Sequence, residues 1–353
     1  MENGMRTKYI EFTSEDSPEF IEAAMALREG RLVAFPTETV YGLGANALDS
    51  NAVRAIYDAK GRPADNPLIV HIADLEMLKP LVTEIKPDAL KLISAYWPGP
   101  LTIILKKSGI VPEITTGGLD TVAVRMPDNF IALELIKKAG VPVAAPSANR
   151  SGKPSPTMAK HVLEDLDGRI SYIIDGGPCK VGVESTVVDM TVDPAIILRP
   201  GGITPEMIER VIGRVELDKS ILGKKAVDRP RAPGMKYRHY APRAEVYVVS
   251  GSSEDIAAWL RSAVSEDEKS GKKSVILAAK EHIQEYGLEH AVSYGSINNA
   301  SEIASNIFRL FRECDRMGTE KIYVEAIPRE GIGLAVMNRI EKAAGGRIIH
   351  AGK

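Results

Sequence analysis

The stretch that decides the fold class is Pro36–Ala47, which reads PTETVYGLGANA. Its G-x-G-x-x-A spacing is close to the glycine fingerprint of dinucleotide-binding proteins. That fingerprint needs its first glycine at the tip of a strand and its third small residue inside a helix. Here Pro36 ends the predicted strand Leu32–Phe35, and six residues separate that strand from Gly42. The geometry is therefore wrong for a dinucleotide site.

The composition is that of an ordinary globular protein with room for about two domains. The chain has 353 residues, of which 44% are hydrophobic and 26% charged. Its 45 Lys and Arg against 47 Asp and Glu leave a net charge of -2, which argues against a large nonspecific nucleic-acid surface. The two cysteines, Cys179 and Cys314, are too far apart in sequence to indicate a zinc site or a disulfide framework. Since no signal peptide or long apolar run is found, we expect a cytoplasmic protein with no membrane association.

Strand and helix signals alternate through roughly the first two hundred residues, as is typical of an α/β domain. The later strands cluster in three β-rich runs, at residues 172–174, 185–190 and 195–198. Strands that cluster in this way favour a mixed sheet over a pure βαβ repeat.

A stretch from about residue 213 to 243 separates two α/β runs. It lacks hydrophobic periodicity, is rich in Arg and Lys, and is punctuated by prolines, as inter-domain linkers often are. No glycine fingerprint follows the first predicted strand of the second run, Glu245–Ser250. We therefore predict a first domain over 1–213, a linker over 214–243 and a smaller α/β domain over 244–353.

The segment Lys60-Gly-Arg-Pro63 places two cations on either side of a glycine, just past a predicted helix. Two cations at this position can simply stabilise the helix by interacting with the negative end of its dipole. They can also clamp a polyanion, because Arg binds phosphate oxygens bidentately and Lys supplies a point charge. Asn66 and His71 follow on the next segment, and a core histidine with one hydrogen bond is the commoner fate of such a residue.

Further polar groups lie next to predicted strands, where open α/β sheets usually bind ligands. They are Arg125, the turn Pro146–Asn149, Ser185 and Arg199. Taken singly, each could be a solvated arginine or an ordinary polar turn. Together they offer cations and small hydrogen-bonding groups to a substrate.

Two common catalytic motifs are missing from the sequence. There is no G-x-x-x-x-G-K-[ST] phosphate loop and no G-x-S-x-G nucleophile elbow. The candidate site residues include several cations and few nucleophiles, which favours catalysis by positioning and charge neutralisation.

Seven motifs in this order and spacing resemble those of the threonylcarbamoyl-AMP synthase family. They are PTETVYGLGANA, KGRPADNPLIVHI, WPGPLT, VAVRMP, APSAN, ESTVVD and ILRPGG, within residues 12–210. Further along, RAPGMKYRHYAP and GIGLAVMNRIEKAA are similar to the linker and C-terminal domain of the family's two-domain form. The resemblance implies an α/β fold: a YrdC-type twisted mixed sheet with flanking helices forms the catalytic domain, and a smaller Rossmann-like α/β domain follows.

The resemblance also implies a reaction. L-Threonine, bicarbonate or CO2 and ATP, accompanied by Mg2+, would give threonylcarbamoyl-adenylate and pyrophosphate. A separate tRNA threonylcarbamoyltransferase complex would then modify an adenosine beside the anticodon. The enzyme itself would need at most weak direct binding to tRNA, in keeping with its near-neutral charge.

The family's roles can be carried onto matching positions of this sequence. The resemblance implies that L-threonine is bound by Thr37, Thr39, Tyr41, His71, Arg125 and Ser185. It implies that ATP is bound by Lys60, Arg62, Asn66, Thr121, Ser147, Asn149, Ser155, Arg199, His239 and Tyr240. Among these, Lys60, Arg62 and Ser147 would be the catalytic residues, and no protein-bound metal is expected.

Two further expectations concern the loops around this site. The glycines of the opening loop would let its backbone approach the ligand closely. The linker motif, which includes Lys236, Tyr237 and Arg238, would act as a lid that shields a labile mixed anhydride from water.

Two other functions are weighed against the synthase. An RNA- or tRNA-binding module without catalysis would use Lys60, Arg62, Arg125 and Arg199 as a positive surface. A carbamoyltransferase of hydrogenase maturation, which has a related domain, is disfavoured because zinc-finger-like cysteine pairs are absent.

Overall fold

The computed structural model describes residues 6–221, 230–233, 239–286 and 291–352. This part of the chain forms two compact units. The first contains the described residues up to Ser151 and from Ser155 to Pro233; the second contains Gly152–Pro154 and the described residues from His239 onward. The domain boundaries at 213 and 243 stay predictions. No helix in the described ranges is long and apolar enough to cross a membrane.

The first unit combines strands with flanking helices. Its strands, in chain order, are β1 (Lys8–Glu11), β2 (Val33–Phe35), β3 (Gly42–Asn46), β4 (Ile69–His71), β5 (Leu101–Lys106), β6 (Thr121–Arg125), β7 (Val143–Ala144), β8 (Tyr172–Asp175), β9 (Thr186–Asp189), β10 (Ala195–Arg199) and β11 (Val215–Leu217). Its α-helices are α1 (Pro18–Arg28), α2 (Ser50–Lys60), α3 (Pro87–Tyr96), α4 (Glu113–Thr116), α5 (Phe130–Ala139), α6 (Ala159–Leu166) and α7 (Pro205–Ile212). A short 3-10 helix spans Lys79–Leu81.

The strands of the first unit form one mixed sheet. Among the described residues its order is β1-β8-β2-β3-β7-β4-β6-β5-β9-β10-β11. The sheet contains parallel pairs such as β4 with β6 and antiparallel pairs such as β5 with β6. The predicted mixed sheet is therefore confirmed.

The glycines of the opening stretch lie in a strand. Gly42 and Gly44 begin β3, which runs antiparallel to β2. A Cβ on Gly44 would lie 2.8 Å from the Phe35 ring and 2.9 Å from Val143. These glycines let β3 pack closely against its neighbours, while the expectation that they let the backbone approach a ligand stays a prediction.

Helix α2 carries Lys60 to the edge of the site. Asp49 caps its start by accepting from the backbone N–H groups of Asn51 and Ala52. Gly61 ends it in the left-handed conformation with φ 62°. The two caps fix where the helix stops, and therefore where Lys60 projects.

Two helices cover one face of the first unit's sheet. Helices α1 and α5 contribute apolar side chains, including Phe20, Leu27, Leu135 and Ile136, to a buried cluster with strand residues such as Val33. Burial of such side chains is the main stabilising contribution to a domain of this kind. This packing fixes the strands of the first unit in place, and several of the predicted site residues lie at the ends of those strands.

The second unit is a separate parallel α/β sheet. Its strands are β12 (Glu245–Ser250), β13 (Ser274–Ala279), β14 (Ala291–Gly295), β15 (Lys321–Glu325) and β16 (Ile348–His350). Its helices are α8 (Ser253–Lys269), α9 (Ile283–Tyr286), α10 (Ala300–Arg316) and α11 (Gly333–Ala344). The strand order is β14-β13-β15-β12-β16, and every pair is parallel. This arrangement confirms the predicted second α/β fold.

Candidate active site

The opening loop between β2 and β3 is held by its own hydroxyl groups. The Thr37 hydroxyl donates to the Val40 carbonyl oxygen at 2.7 Å and lies 2.8 Å from Thr39 Oγ1. The same oxygen accepts from the backbone N–H groups of Thr39 and Val40, each at 3.2 Å. Thr37 and Thr39 are both buried. Two predicted threonine-binding residues thus lie side by side in a tight turn.

The neighbouring parallel strands β4 and β6 both end at predicted site residues. His71 ends β4, Arg125 ends β6, and the two are paired in register. Burial, with the Arg125 guanidinium as the second cause, lowers the pKa of His71 to about 3. The imidazole is therefore neutral, and it can offer a hydrogen bond but no charge.

Glu38 is the counter-ion of Arg125, and it was missed in the sequence. Its Oε2 lies 2.6 Å from Arg125 Nη2, and each side chain is 5% exposed. Arg125 Nε also donates to the Gly99 carbonyl oxygen at 3.3 Å. A buried arginine and a buried carboxylate thus form a neutral pair, and the carboxylate belongs to the residue between Thr37 and Thr39.

Tyr41 ties the opening loop to the segment after β8. Its hydroxyl donates to the Gly177 carbonyl oxygen at 2.7 Å, lies 3.3 Å from Asp175 Oδ1, and accepts from the Gly176 N–H at 3.2 Å. Burial raises its pKa, and the neighbouring Cys179 and Asp175 add to that rise. The hydroxyl remains protonated and braces the loop, while its contact with threonine stays a prediction.

Ser185 and Arg199 meet where β9 begins and the neighbouring antiparallel strand β10 ends. Arg199 Nε donates to the Ser185 carbonyl oxygen and Nη2 donates to Ser185 Oγ, each at 3.0 Å. Ser185 Oγ also lies 2.7 Å from Thr102 Oγ1. Thr102 was not predicted as a site residue. The two hydrogen bonds from Arg199 thus join Ser185, a predicted threonine-binding residue, to Arg199, a predicted ATP-binding residue.

Lys60 organises the Pro146–Asn149 turn. Its Nζ donates to the carbonyl oxygens of Ser147 and Asn149, each at 2.5 Å, and it is 2% exposed. The Ser147 hydroxyl donates to Asn149 Oδ1 at 2.5 Å. The cation therefore shapes the turn as well as supplying positive charge, which goes beyond the predicted point charge for phosphate.

Arg62 and Asn66 lie next to each other beyond the end of α2. Arg62 Nη2 donates to the backbone carbonyl oxygens of Asn66 and Pro67, at 3.2 Å and 3.1 Å. Asn66 is 1% exposed, and neither polar atom of its side-chain amide has a hydrogen-bond partner among the described residues. The amide N–H therefore lacks an acceptor and the amide oxygen lacks a donor, and a ligand can provide both.

The remaining predicted ATP residues of the first unit are less closely grouped. The hydroxyl of Ser155 donates to the buried Glu184 carboxylate. Thr121 begins β6, four residues before Arg125, which places it about 13 Å away along the strand. Glu184 was another residue that sequence reasoning did not single out.

Part of the linker lies on the sheet of the first unit. Ala232 is fully buried in an apolar cluster with Ile69, Ala123 and other strand residues. Arg199 Nη1 donates to the Pro233 carbonyl oxygen at 3.3 Å. Since strand side chains alternate between faces, Ile69 and Ala123 share a face with His71 and Arg125.

The predicted lid also includes His239 and Tyr240. His239 and Tyr240 belong to the second unit, where Tyr240 stacks on Phe308 and lies beneath the Arg339 guanidinium. Their role in ATP binding stays a prediction. Lys236, Tyr237 and Arg238 lie outside the described residues.

The missed residues left only weak signals in the sequence. Glu38 sits between two threonines in a stretch with no other charge, and Glu184 directly precedes Ser185. A charged residue inside an otherwise apolar or hydroxyl-rich segment is a hint of a buried, paired charge. Thr102 left no signal beyond ordinary β-propensity.

Comparison with known proteins defines the class first. A family model described as "Telomere recombination", named for Sua5, YciO and YrdC, matches residues 25–201. A second model, described as the C-terminal domain of threonylcarbamoyl-AMP synthase, matches residues 203–345. The chain is thus a YrdC-type protein of the two-domain form.

Individual relatives then narrow the class to one family. The threonylcarbamoyl-AMP synthase of Pyrococcus abyssi is 53% identical over 327 residues, which cover 93% of this chain and 94% of that protein. The Bacillus subtilis protein of the same name is 47% identical over 352 residues, covering 98% and 100%. The crystal structure of P. abyssi Sua5 complexed with L-threonine matches with a TM-score of 0.92 and 50% identity, over 98% of this chain and 99% of that one. The chain belongs to the threonylcarbamoyl-AMP synthase family.

Proposed function

We propose that this protein is an L-threonylcarbamoyladenylate synthase, a nucleotidyltransferase that acts in tRNA modification. The observation that carries the proposal is the full-length similarity to proteins of that name, both at 47% identity or more. The buried groups of the first unit support it, because they include cations suited to a triphosphate and a neutral pair suited to an amino acid. The substrates are L-threonine, CO2 or bicarbonate, and ATP.

The chemistry needs no covalent enzyme intermediate. The amine of threonine attacks CO2 and loses its proton, which gives a carbamate. A carbamate oxygen then attacks the α-phosphate of ATP, and the bond to pyrophosphate breaks. The products are threonylcarbamoyl-adenylate and pyrophosphate. Such a reaction gains most from holding the reactants in line and neutralising the triphosphate.

We assign the amino acid to the side of the sheet that carries Arg125. Arg125 provides a buried guanidinium for the α-carboxylate, while Thr37, Thr39 and neutral His71 provide hydrogen bonds. Ser185, whose hydroxyl is held by Arg199, is assigned to the same substrate. Tyr41 braces the loop from behind.

We assign ATP to the side that carries Lys60. Lys60 fixes the turn at Ser147 and Asn149, Arg62 stands beside Asn66, and Arg199 joins the two halves through Ser185. Mg2+ is proposed to arrive with ATP as part of the substrate. The metal would neutralise phosphate charge.

The linker is proposed to act as a lid. The described segment 230–233 supports this role, because Ala232 is buried on the site-bearing face and Pro233 accepts a hydrogen bond from Arg199. Closure would protect the mixed anhydride from water. Deletion of residues 229–243 is expected to lower turnover and shorten the lifetime of the intermediate, both measurable by chromatography. Unchanged values for both would rule out the lid.

A downstream threonylcarbamoyltransferase is proposed to take up the product in the cytoplasm, where ATP and tRNA are found. A function in RNA binding alone is disfavoured. Three of its four proposed contact residues, Lys60, Arg125 and Arg199, are at most 4% exposed. Buried cations cannot form the salt-sensitive phosphate contacts of a nucleic-acid surface.

The decisive test measures pyrophosphate release from ATP, Mg2+ and bicarbonate with L-threonine, with L-serine or with neither amino acid. Release that requires threonine and bicarbonate supports the synthase. The Lys60→Met variant should lower kcat/KM for ATP roughly 100-fold, because two charge-assisted hydrogen bonds and a cation are lost. Lys91→Met, which removes an exposed lysine paired with Asp88, is the control. Release indifferent to threonine would overturn the proposal.

A further inference from the structure

Glu38 and Arg125 form an ion pair in which part of the hydrogen-bonding capacity is unused. The two groups approach to 2.6 Å, but the guanidinium N–H does not point at the carboxylate. As a result, three atoms have no hydrogen-bond partner among the described residues: the two carboxylate oxygens of Glu38 and the Nη2 of Arg125. Both residues are at least nine-tenths buried. Buried charges in folded proteins are normally both paired and hydrogen-bonded, so this pair lacks partners.

The missing partners have opposite character at the two ends of the pair. The carboxylate of Glu38 lacks donors, and the Nη2 of Arg125 lacks an acceptor. An α-amino acid is a zwitterion that brings both, because its ammonium group carries three N–H donors and its carboxylate carries acceptor oxygens. A neutral ligand or a simple anion would satisfy one end only.

We propose that Glu38 is the residue that binds the α-ammonium group of the amino-acid substrate, while Arg125 binds its carboxylate. This inference rests on the proposed function and adds a specificity-determining residue to it. The position of Glu38 suits the role, since it lies between Thr37 and Thr39, two residues assigned above to the same substrate. Its own backbone is fixed, because the N–H of Val181 donates to the Glu38 carbonyl oxygen at 2.8 Å.

A purely structural role for Glu38 predicts the opposite behaviour. If the carboxylate only neutralised Arg125, its removal would free the guanidinium and tighten the binding of any carboxylate ligand. If it binds the ammonium group, its removal weakens ligands that carry that group and spares ligands that lack it. The two roles are therefore separable by comparing ligands on one variant.

The experiment measures binding by calorimetry to the full-length wild type and to Glu38→Gln. The ligands are L-threonine and (R)-3-hydroxybutanoate, which is threonine without its amine. We expect Glu38→Gln to weaken L-threonine binding roughly 10- to 100-fold, the range for a buried charge-assisted hydrogen bond. The amine-free acid should change by less than about threefold. Glu38→Asp should recover part of the loss, and the exposed Glu29→Gln should change nothing.

Two results would overturn the inference. One is Glu38→Gln binding L-threonine as tightly as the wild type, or binding both ligands more tightly. The other needs no variant, and so holds even if Glu38→Gln fails to fold: wild-type protein binding (R)-3-hydroxybutanoate as tightly as L-threonine. Either result can occur while threonine-dependent pyrophosphate release by the wild type stands, so the proposed function is judged separately.

Discussion

His71 and Arg125 occupy paired positions on adjacent parallel strands, and the arginine helps to keep the histidine uncharged. The register of β4 and β6 sets the two side by side. Burial is the larger cause of the low pKa of His71, and the Arg125 guanidinium adds to it. The site thus keeps a single cation at this position, which leaves the arginine to attract a carboxylate.

Acid should destabilise the first unit through His71. In the unfolded chain a histidine titrates near pH 6.5, whereas the pKa of folded His71 is about 3. The unfolded state therefore gains a proton first, and stability is lost as the pH falls from about 6.5 towards 3. Between pH 7 and pH 5 the wild type should lose about 2 kcal/mol more than His71→Asn.

The measurement uses the fact that each unit has one tryptophan, Trp97 in the first and Trp259 in the second. In a Trp259→Phe background, Trp97 fluorescence during urea unfolding reports on the first unit. If the free energy of unfolding had the same pH dependence in the wild type and in His71→Asn, His71 would not be held neutral in the folded protein.

Asn66 should show a conflict between stability and function. Its buried amide has no hydrogen-bond partner in the described structure, and such a group costs about 1–3 kcal/mol. Replacing Asn66 by Leu should therefore leave the free energy of unfolding unchanged or raise it by about 1 kcal/mol. The KM for ATP should rise roughly tenfold, because the ligand loses its amide contact. Asn51→Leu, at an exposed position of α2, is the control. If Asn66→Leu lowered the free energy of unfolding and left the KM for ATP unchanged, the amide would stabilise the fold and not bind ATP.

The sequence predicted the class of both sheets, because strand periodicity and the order of elements are local signals. It failed where a residue's meaning depends on its neighbours in space. The glycines Gly42 and Gly44 read as a loop, and only the contact with Phe35 and Val143 shows why a strand there needs them. Glu38 was overlooked because its partner, Arg125, is far away in sequence. Buried ion pairs of this kind become visible only once the strands are aligned.

Arg231 should matter more for catalysis than for stability. It bridges Asp189 Oδ2 at 3.2 Å and Asp218 Oδ2 at 2.9 Å. Because the arginine is 39% exposed, Arg231→Ala should change the free energy of unfolding by less than about 1 kcal/mol. It should raise the KM for ATP roughly threefold to tenfold, since the adjacent Ala232 and Pro233 lose their anchor on the sheet.

Steady-state pyrophosphate release against ATP concentration measures this effect. The control is Arg214→Ala, which removes an exposed pair with Glu216. Equal KM values for Arg231→Ala and the control would show that the segment 230–233 does not contribute to ATP binding.

Glu325 should be the main polar determinant of stability in the second unit. The carboxylate ends β15 and accepts hydrogen bonds from His282 Nδ1 at 2.5 Å, the Tyr286 hydroxyl at 2.7 Å and the Ala279 N–H at 2.8 Å. The Tyr294 hydroxyl lies 3.3 Å away. Burial first, and then the hydrogen bond to Glu325 and its charge, raise the pKa of both tyrosines. Their hydroxyls therefore remain donors at ordinary pH.

Replacing Glu325 by Leu leaves those donors buried without an acceptor. We expect the second unit to lose about 3 kcal/mol or more, because each orphaned donor costs about 1–3 kcal/mol. Urea unfolding in a Trp97→Phe background, followed by Trp259 fluorescence, isolates the second unit. Glu325→Gln keeps one acceptor oxygen and should lose less, while the exposed Glu330→Gln should lose nothing. An unfolding midpoint for Glu325→Leu equal to that of Glu330→Gln would show that the network adds no stability.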